Sequence, residues 1–144
     1  MSVSQADISQ KLISQRLAVA TGFIRLRPKT LKLMKGGELE KGDALAIAQT
    51  MAVIAAKRTP DLLALCHPLR IEHTQVTTKV RKDGVEVTVT IAAHEKTGVE
   101  MEALTAVAVA LLNVWDAVKR YEKDENGQYP STRIEDLRVV RKLK

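Results

Sequence analysis

The sequence predicts an α+β fold, an antiparallel sheet with helices packed on one face, and three observations carry that expectation. Val85, Val87, Val89 and Ile91 alternate with Glu86, Thr88 and Thr90, a period of two that puts one strand face in a core and the other toward polar surroundings. Two alanine-rich stretches, one beginning after Asp43 and one after Gly98, have the composition of close-packed helices. Strands and helices are intermixed along the chain in the order β, α, α, β, β, α, β, which suits a two-layer sandwich.

RLAVATGFIRL, Arg16 to Leu26, is rich in β-branched and aliphatic residues and ends before Pro28, so it reads as the first strand. A short helix around Thr30 to Met34 follows, stopped by Gly36-Gly37. KGGELEKGD, Lys35 to Asp43, is a charged, glycine-punctuated loop. Asp43 is placed to cap ALAIAQTMAVIAAKR, a helix with spaced Leu45, Ala48, Ala52 and Ala55 that is expected to end ahead of Thr59-Pro60. After LCHPL, two strands are joined by Lys82-Asp83-Gly84, whose Asp-Gly pair signals a tight hairpin. The long helix runs from about Val99 to Glu122, and Thr97-Gly98-Val99-Glu100 at its start fits a capping box. A polar loop, KDENGQYPS, leads to a last strand near Arg133 to Val140. This order suggests a ferredoxin-like sandwich, a single domain over residues 1–144.

With 45% hydrophobic residues and only four aromatics, Phe23, Trp115, Tyr121 and Tyr129, the core must be aliphatic. The net charge of +6 attracts anions without choosing between nucleic acid and a small phosphorylated metabolite. The single cysteine, Cys66, excludes an intrachain disulfide, and MSVSQADISQ lacks the basic start and apolar core of a signal peptide. No apolar run is expected to reach bilayer-spanning length. A soluble cytoplasmic protein with no membrane partner is the expectation.

Chemistry concentrates in four clusters. Glu100 and Glu102 stand at the doorway of the long helix, either as caps or as carboxylates of a site beside the Lys96-Thr97-Gly98 loop, where free helix amides attract anions. Met101 between them is core packing or a ligand contact. Lys41, in Glu40-Lys41-Gly42-Asp43, sits ahead of a helix N-terminus and suits phosphate neutralisation, or is a solvated loop charge. Cys66-His67-Pro68 fixes an imidazole in an extended segment; a metal site built on Cys66, His67, His73 and His94 lacks zinc spacing, and no metal site is expected. Asp116 and Lys119 are three apart on the long helix, as a surface ion pair or as a pair that exchanges a proton.

Together these clusters resemble the molybdenum cofactor biosynthesis protein C family, the cyclic pyranopterin monophosphate synthases. Asp7-Ile8-Ser9-Gln10-Lys11 with Arg16, KGDALAIAQTMAVIAAKRT from Lys41, LCHPL from Leu65, KTGVEMEALTA from Lys96 and WDAVK from Trp115 carry the resemblance, in family order and over nearly the whole chain. It implies conversion of a cyclised guanosine triphosphate, 3',8-cyclo-7,8-dihydro-GTP, to cyclic pyranopterin monophosphate with release of pyrophosphate. It also implies a homohexamer, a trimer of dimers. Asp116, Lys119 and Lys41 match the family's catalytic residues. Leu65, Cys66, His67, Glu100, Met101, Glu102 and Lys142 match substrate-binding positions. No cofactor is required, and magnesium can accompany the triphosphate, though no dedicated cage for it is visible. Trp115 stands where the family often has Tyr, and Ala64 where it often has Pro.

Helix geometry adds a constraint. Asp116 follows Glu102 by 14 residues, about 21 Å along a continuous helix, too far for both to touch one reacting centre. Ala106 to Leu112 is apolar all round, as at a subunit interface. The expectation is a site shared between neighbours, with Met101, Glu102 and His67 from one chain meeting Asp116 and Lys119 from another. Two other classes compete. A basic ferredoxin-like sheet also frames an RNA-binding module, but that needs sheet aromatics and Leu69 to Glu95 contains none, so no nucleic-acid partner is expected. A purely structural subunit would show no turnover.

Overall fold

Alternation builds the first strand: Ala18, Ala20 and Ile24 are fully buried while Leu17, Val19, Thr21 and Phe23 between them are half-buried. The computed structural model describes residues 1–144. Its elements are β1 (Ser14–Arg25), α1 (Pro28–Lys35), α2 (Ala44–Leu62), β2 (His73–Arg81), β3 (Gly84–Glu95), α3 (Glu100–Glu122) and β4 (Arg133–Leu143). The sheet order is β2-β3-β1-β4 and every neighbouring pair is antiparallel. Each crossover, β1 to β2 through α1 and α2 and β3 to β4 through α3, skips one strand, which is the ferredoxin-like arrangement.

The core lies between the sheet and the helices. Val85, Val87, Val89 and Ile91 of β3 are all fully buried, each worth roughly 1.5–3 kcal/mol relative to exposure. Against them α3 lays Ala103, Ala106, Val107, Ala110, Leu111 and Val114, a spacing of three and four that makes one helical face. Alanines at 44, 48, 52 and 56 line the buried face of α2. Gly22 on β1 records how close α3 comes, since a Cβ there would stand 2.8 Å from Leu111 Cδ1 and 2.9 Å from Val107 Cγ1.

Several boundaries differ from the sequence expectation. Helix α2 does not stop before Thr59-Pro60 but runs to Leu62. Proline removes its own amide hydrogen bond and crowds the carbonyl four residues back, but less than one turn of helix follows it, and the Leu63 amide still reaches the Thr59 carbonyl at 3.0 Å. The capping box does not form either. Val99 is the N-cap and makes no side-chain cap bond, so Glu100 is the first helical residue and not the third. Thr97 stays in a bend outside the helix. Strand β4 extends to Leu143, with register shifts against β1 and a positive φ of 60° at Asp136. Helix α3 is, by length and composition, apolar enough to cross a bilayer, contrary to expectation; its apolar residues are the centre of the core.

The far end of α3 is tied down by a buried carboxyl group. Glu122, fully buried, accepts from the Arg27 amide at 3.1 and 3.3 Å, from Thr132 Oγ1 at 2.6 Å and from Thr30 Oγ1. One carboxylate thereby joins the end of α3 to the beginnings of α1 and β4.

Candidate active site

The predicted residues gather at the two ends of α3. At the carboxyl end Asp116 and Lys119 share a face one turn apart, and Lys119 Nζ lies 3.1 Å from Asp116 Oδ1. The loop after α1 brings Lys41 to the same carboxylate across 75 residues of chain, with Nζ 3.2 Å from Oδ2 and 3.0 Å from the Asp116 carbonyl oxygen. Hydrogen bonding from Lys119, then from Lys41, holds the Asp116 carboxyl below the ordinary aspartate range. It is therefore an anion at neutral pH, although its side chain is 62% exposed.

The loop that delivers Lys41 is fixed on both sides. Asp43 caps α2 as expected, accepting from the Leu45 and Ala46 amides at 3.1 and 3.0 Å. Glu40 donates its amide to the Tyr121 hydroxyl oxygen at 2.8 Å and pairs with Arg120. Leu112, Trp115, Asp116, Lys119 and Tyr129 line an open cleft of about 370 Å³. Trp115 and Tyr129 meet edge to face, with ring centroids 5.2 Å apart. No local pattern places Tyr129 here, beyond its being the only aromatic in a polar loop.

At the amino end Leu65, Cys66, His67, Glu100 and Met101 line a cleft of about 340 Å³. Its other wall is the N-terminal segment, through Ala6, Asp7, Ile8 and Lys11; Asp7 to Lys11 carry part of the resemblance, but none of the four is among the site residues expected from sequence. His67 Nε2 donates to the Ala6 carbonyl at 2.8 Å, which places the proton on that nitrogen. Lys96 reaches the Ser9 carbonyl at 3.5 Å. Buried Arg16 donates to the carbonyls of Glu95, Lys96 and Lys144 at 3.2, 3.1 and 3.1 Å and so fixes the loop before α3.

Behind this cleft the carboxylates are under-partnered. Glu102 is 1% exposed; Oε2 accepts from the Cys66 thiol at 3.5 Å, and Oε1 has no hydrogen-bond partner. Burial pushes the Glu102 carboxyl up, with the Glu100 charge adding to the rise against the hydrogen bonds it accepts. Burial and the Glu102 charge push the Cys66 thiol up to about 11, so it is a neutral donor and not a nucleophile at physiological pH. Glu100 faces Lys142 at 3.6 Å, an ion pair too long for a hydrogen bond, and its Oε1 is likewise unpartnered.

Every candidate thus falls in one of two groups, Lys41 with Asp116 and Lys119, or Lys142 with the Cys66, His67 and Glu100 to Glu102 cleft. The weighed metal set does not assemble, because no three of the His, Cys, Asp and Glu side chains converge; His94 instead pairs with Glu72 at 2.6 Å. Helix α3 is unbroken from Glu100 to Glu122, so the two groups stay apart within one chain. The same helix carries between them a partly exposed apolar stripe, Met101, Leu104, Ala108, Leu112 and Trp115.

Fold and geometry together describe an α+β protein with a carboxylate held between two lysines at one end of α3 and a buried carboxylate with an open oxygen at the other. The sequence profile of the MoaC family matches residues 5–144, and the chain belongs to that family. Among its relatives are proteins named probable cyclic pyranopterin monophosphate synthase. The one from Sulfurisphaera tokodaii is 53% identical over 96% of this chain and 91% of its own length. Those from Pyrococcus abyssi and Thermococcus kodakarensis are 52% and 51% identical over 99% of this chain, and over 89% and 91% of their own lengths.

Proposed function

We propose that the chain converts (8S)-3',8-cyclo-7,8-dihydroguanosine 5'-triphosphate to cyclic pyranopterin monophosphate and pyrophosphate, the phosphorus–oxygen lyase step of molybdenum cofactor biosynthesis that the family resemblance implies and whose product appears in its relatives' name. The observation that carries this reading is the buried Glu102 carboxylate with an unpartnered oxygen beside Glu100. A buried acceptor left open costs roughly 1–3 kcal/mol, and the N–H groups of a guanine-derived ring are donors that would satisfy it. His67, Leu65, Cys66 and Met101 wall the same cleft, and Lys142 stands at Glu100.

The phosphate end of that substrate suits the other group. Release of pyrophosphate breaks the bond from the α-phosphorus to its bridging oxygen, and a hydroxyl of the same molecule closes the cyclic phosphodiester and loses its proton. Lys41 neutralises the triphosphate, while Asp116 and Lys119 move protons between the reacting oxygens and the rearranging ring. No resident cofactor takes part. Asp116 is already engaged by two ammonium groups, which leaves no free carboxylate cluster to cage a cation, so magnesium would arrive on the phosphates.

One substrate spans both groups if two chains build the site. An isologous pair with α3 packed antiparallel on its own apolar stripe sets the amino end of one helix beside the carboxyl end of the other. Met101, Glu102 and His67 of one chain then face Asp116 and Lys119 of the next, and three such dimers give the homohexamer. A cytoplasmic location follows from the nucleotide-derived substrate. Incubation of the purified chain with the cyclised triphosphate tests the activity: pyrophosphate release with appearance of the cyclic monophosphate is expected, and its absence would overturn the reading.

A further inference from the structure

We propose that Glu40, Arg120 and Tyr121 form a latch that holds Lys41 on Asp116, so that this lysine is placed by residues that do not themselves line the cleft. The proposal deepens the reading above and rests on it for the role of Lys41. A lysine carries its ammonium on a flexible four-carbon stem, so its position depends on how firmly its backbone is held. Two glycines bracket the loop in left-handed conformations, Gly37 at φ 67° and Gly42 at φ 99°, which gives the backbone a swivel on either side of Lys41.

Three contacts oppose that freedom. Leu39 is buried. The Glu40 amide donates to the Tyr121 hydroxyl oxygen at 2.8 Å. The Glu40 carboxylate pairs with the Arg120 guanidinium, which also lies over the Tyr121 ring at 5.6 Å from its centroid. Arg120 and Tyr121 directly follow Lys119, so the last turns of α3 present Asp116 and Lys119 and grip the neighbour of Lys41 at once. The two ammonium groups and the one carboxylate of this cluster are thereby referred to one rigid helix. Arg120 and Glu40 are each 61% exposed, and exposed pairs add little to stability. Cutting the latch therefore displaces Lys41 without unfolding the chain.

The full-length protein tests this with Tyr121→Phe, Arg120→Ala, Arg120→Lys and the Tyr121→Phe/Arg120→Ala double variant, each made alone and on a Lys41→Ala background. For the Phe variant KM for the cyclised triphosphate should rise about three- to tenfold, the scale of one hydrogen bond, with kcat changed by less than about twofold. The double variant should approach Lys41→Ala, Arg120→Lys should recover part of the Arg120→Ala loss, and none of the changes should add to Lys41→Ala. Losses that add fully on that background would overturn the latch. Titration of Asp116 by carboxylate NMR needs no turnover: freeing Lys41 should move it up toward the ordinary aspartate range, and an unmoved value in the double variant refutes the proposal. A parent protein inert on the substrate would sink the assigned activity, with the titration still deciding the latch.

Discussion

The two ends of α3 treat their carboxylates in opposite ways. At the carboxyl end Asp116 lies in solvent with both oxygens taken by lysines, and its proton affinity is depressed. At the amino end Glu102 is buried with one oxygen open and its proton affinity raised. Exposure makes the first site cheap to build and easy to adjust, because water screens whatever its charges do not compensate. Burial makes the second costly for the fold and strongly attractive to a ligand that brings donors. Chemistry that shifts charge suits the first, and recognition suits the second.

The sharpest break in this comparison is loss of Asp116. Asp116→Ala should lower turnover by roughly 10²–10⁴-fold, the range for a general acid–base group, while the melting temperature stays within about 2 °C. Pyrophosphate release and a thermal melt on the same preparation check both halves. Lys41→Ala should weaken triphosphate binding by about tenfold, as a charge-assisted contact is lost, measured by calorimetry with a non-reacting analogue. Mixing Glu102→Ala with Asp116→Ala under verified subunit exchange should restore roughly a quarter of the activity, since half the dimers are mixed and each holds one intact site in two. An inactive mixture would confine both ends to separate sites.

Smaller effects sharpen the amino end. The raised Glu102 carboxyl means the folded state binds its proton more tightly than the unfolded chain, so stability is lost as pH climbs from about 4.5, the ordinary glutamate value, through the raised one. Glu102→Gln should therefore raise the melting temperature at pH 7 by a few degrees, the effect of about 1 kcal/mol in a chain this size, and the gain should vanish below that ordinary value. Melts of both proteins from pH 4 to 8 decide this. Cys66 gives the smallest signal: its alkylation by iodoacetamide should be slow at pH 8 and climb only as pH nears its value of about 11.

Much of the fold was legible where burial is one-sided. β3 alternates without interruption and α3 repeats at three and four, because each presents a single face to the core. β4 was read short because its pattern slips at the Asp136 bulge and most of its residues are exposed. The capping box matched in letters, yet Arg16 holds the Glu95 and Lys96 carbonyls so that Thr97 remains outside the helix, a tertiary contact no four-residue pattern contains. The same limit applies to the site. Asp116 and Lys119 are helical neighbours and could be paired from spacing, whereas the approach of Lys41 depends on folding across 75 residues. The latch on Glu40 and the Tyr129 wall lie beyond local pattern for the same reason.

The knot at Glu122 bears on how the molecule opens. Its oxygens are divided among Arg27, Thr30 and Thr132, so peeling β4 away withdraws Thr132 and leaves a buried carboxyl oxygen short of a donor. The vacancy is felt at the first turn of α1, on the far side of the chain in sequence. Fraying of the last strand and loosening of α1 should consequently be one event, and protection of the Arg27 amide against deuterium exchange becomes a single-atom gauge of whether the C-terminal strand is docked.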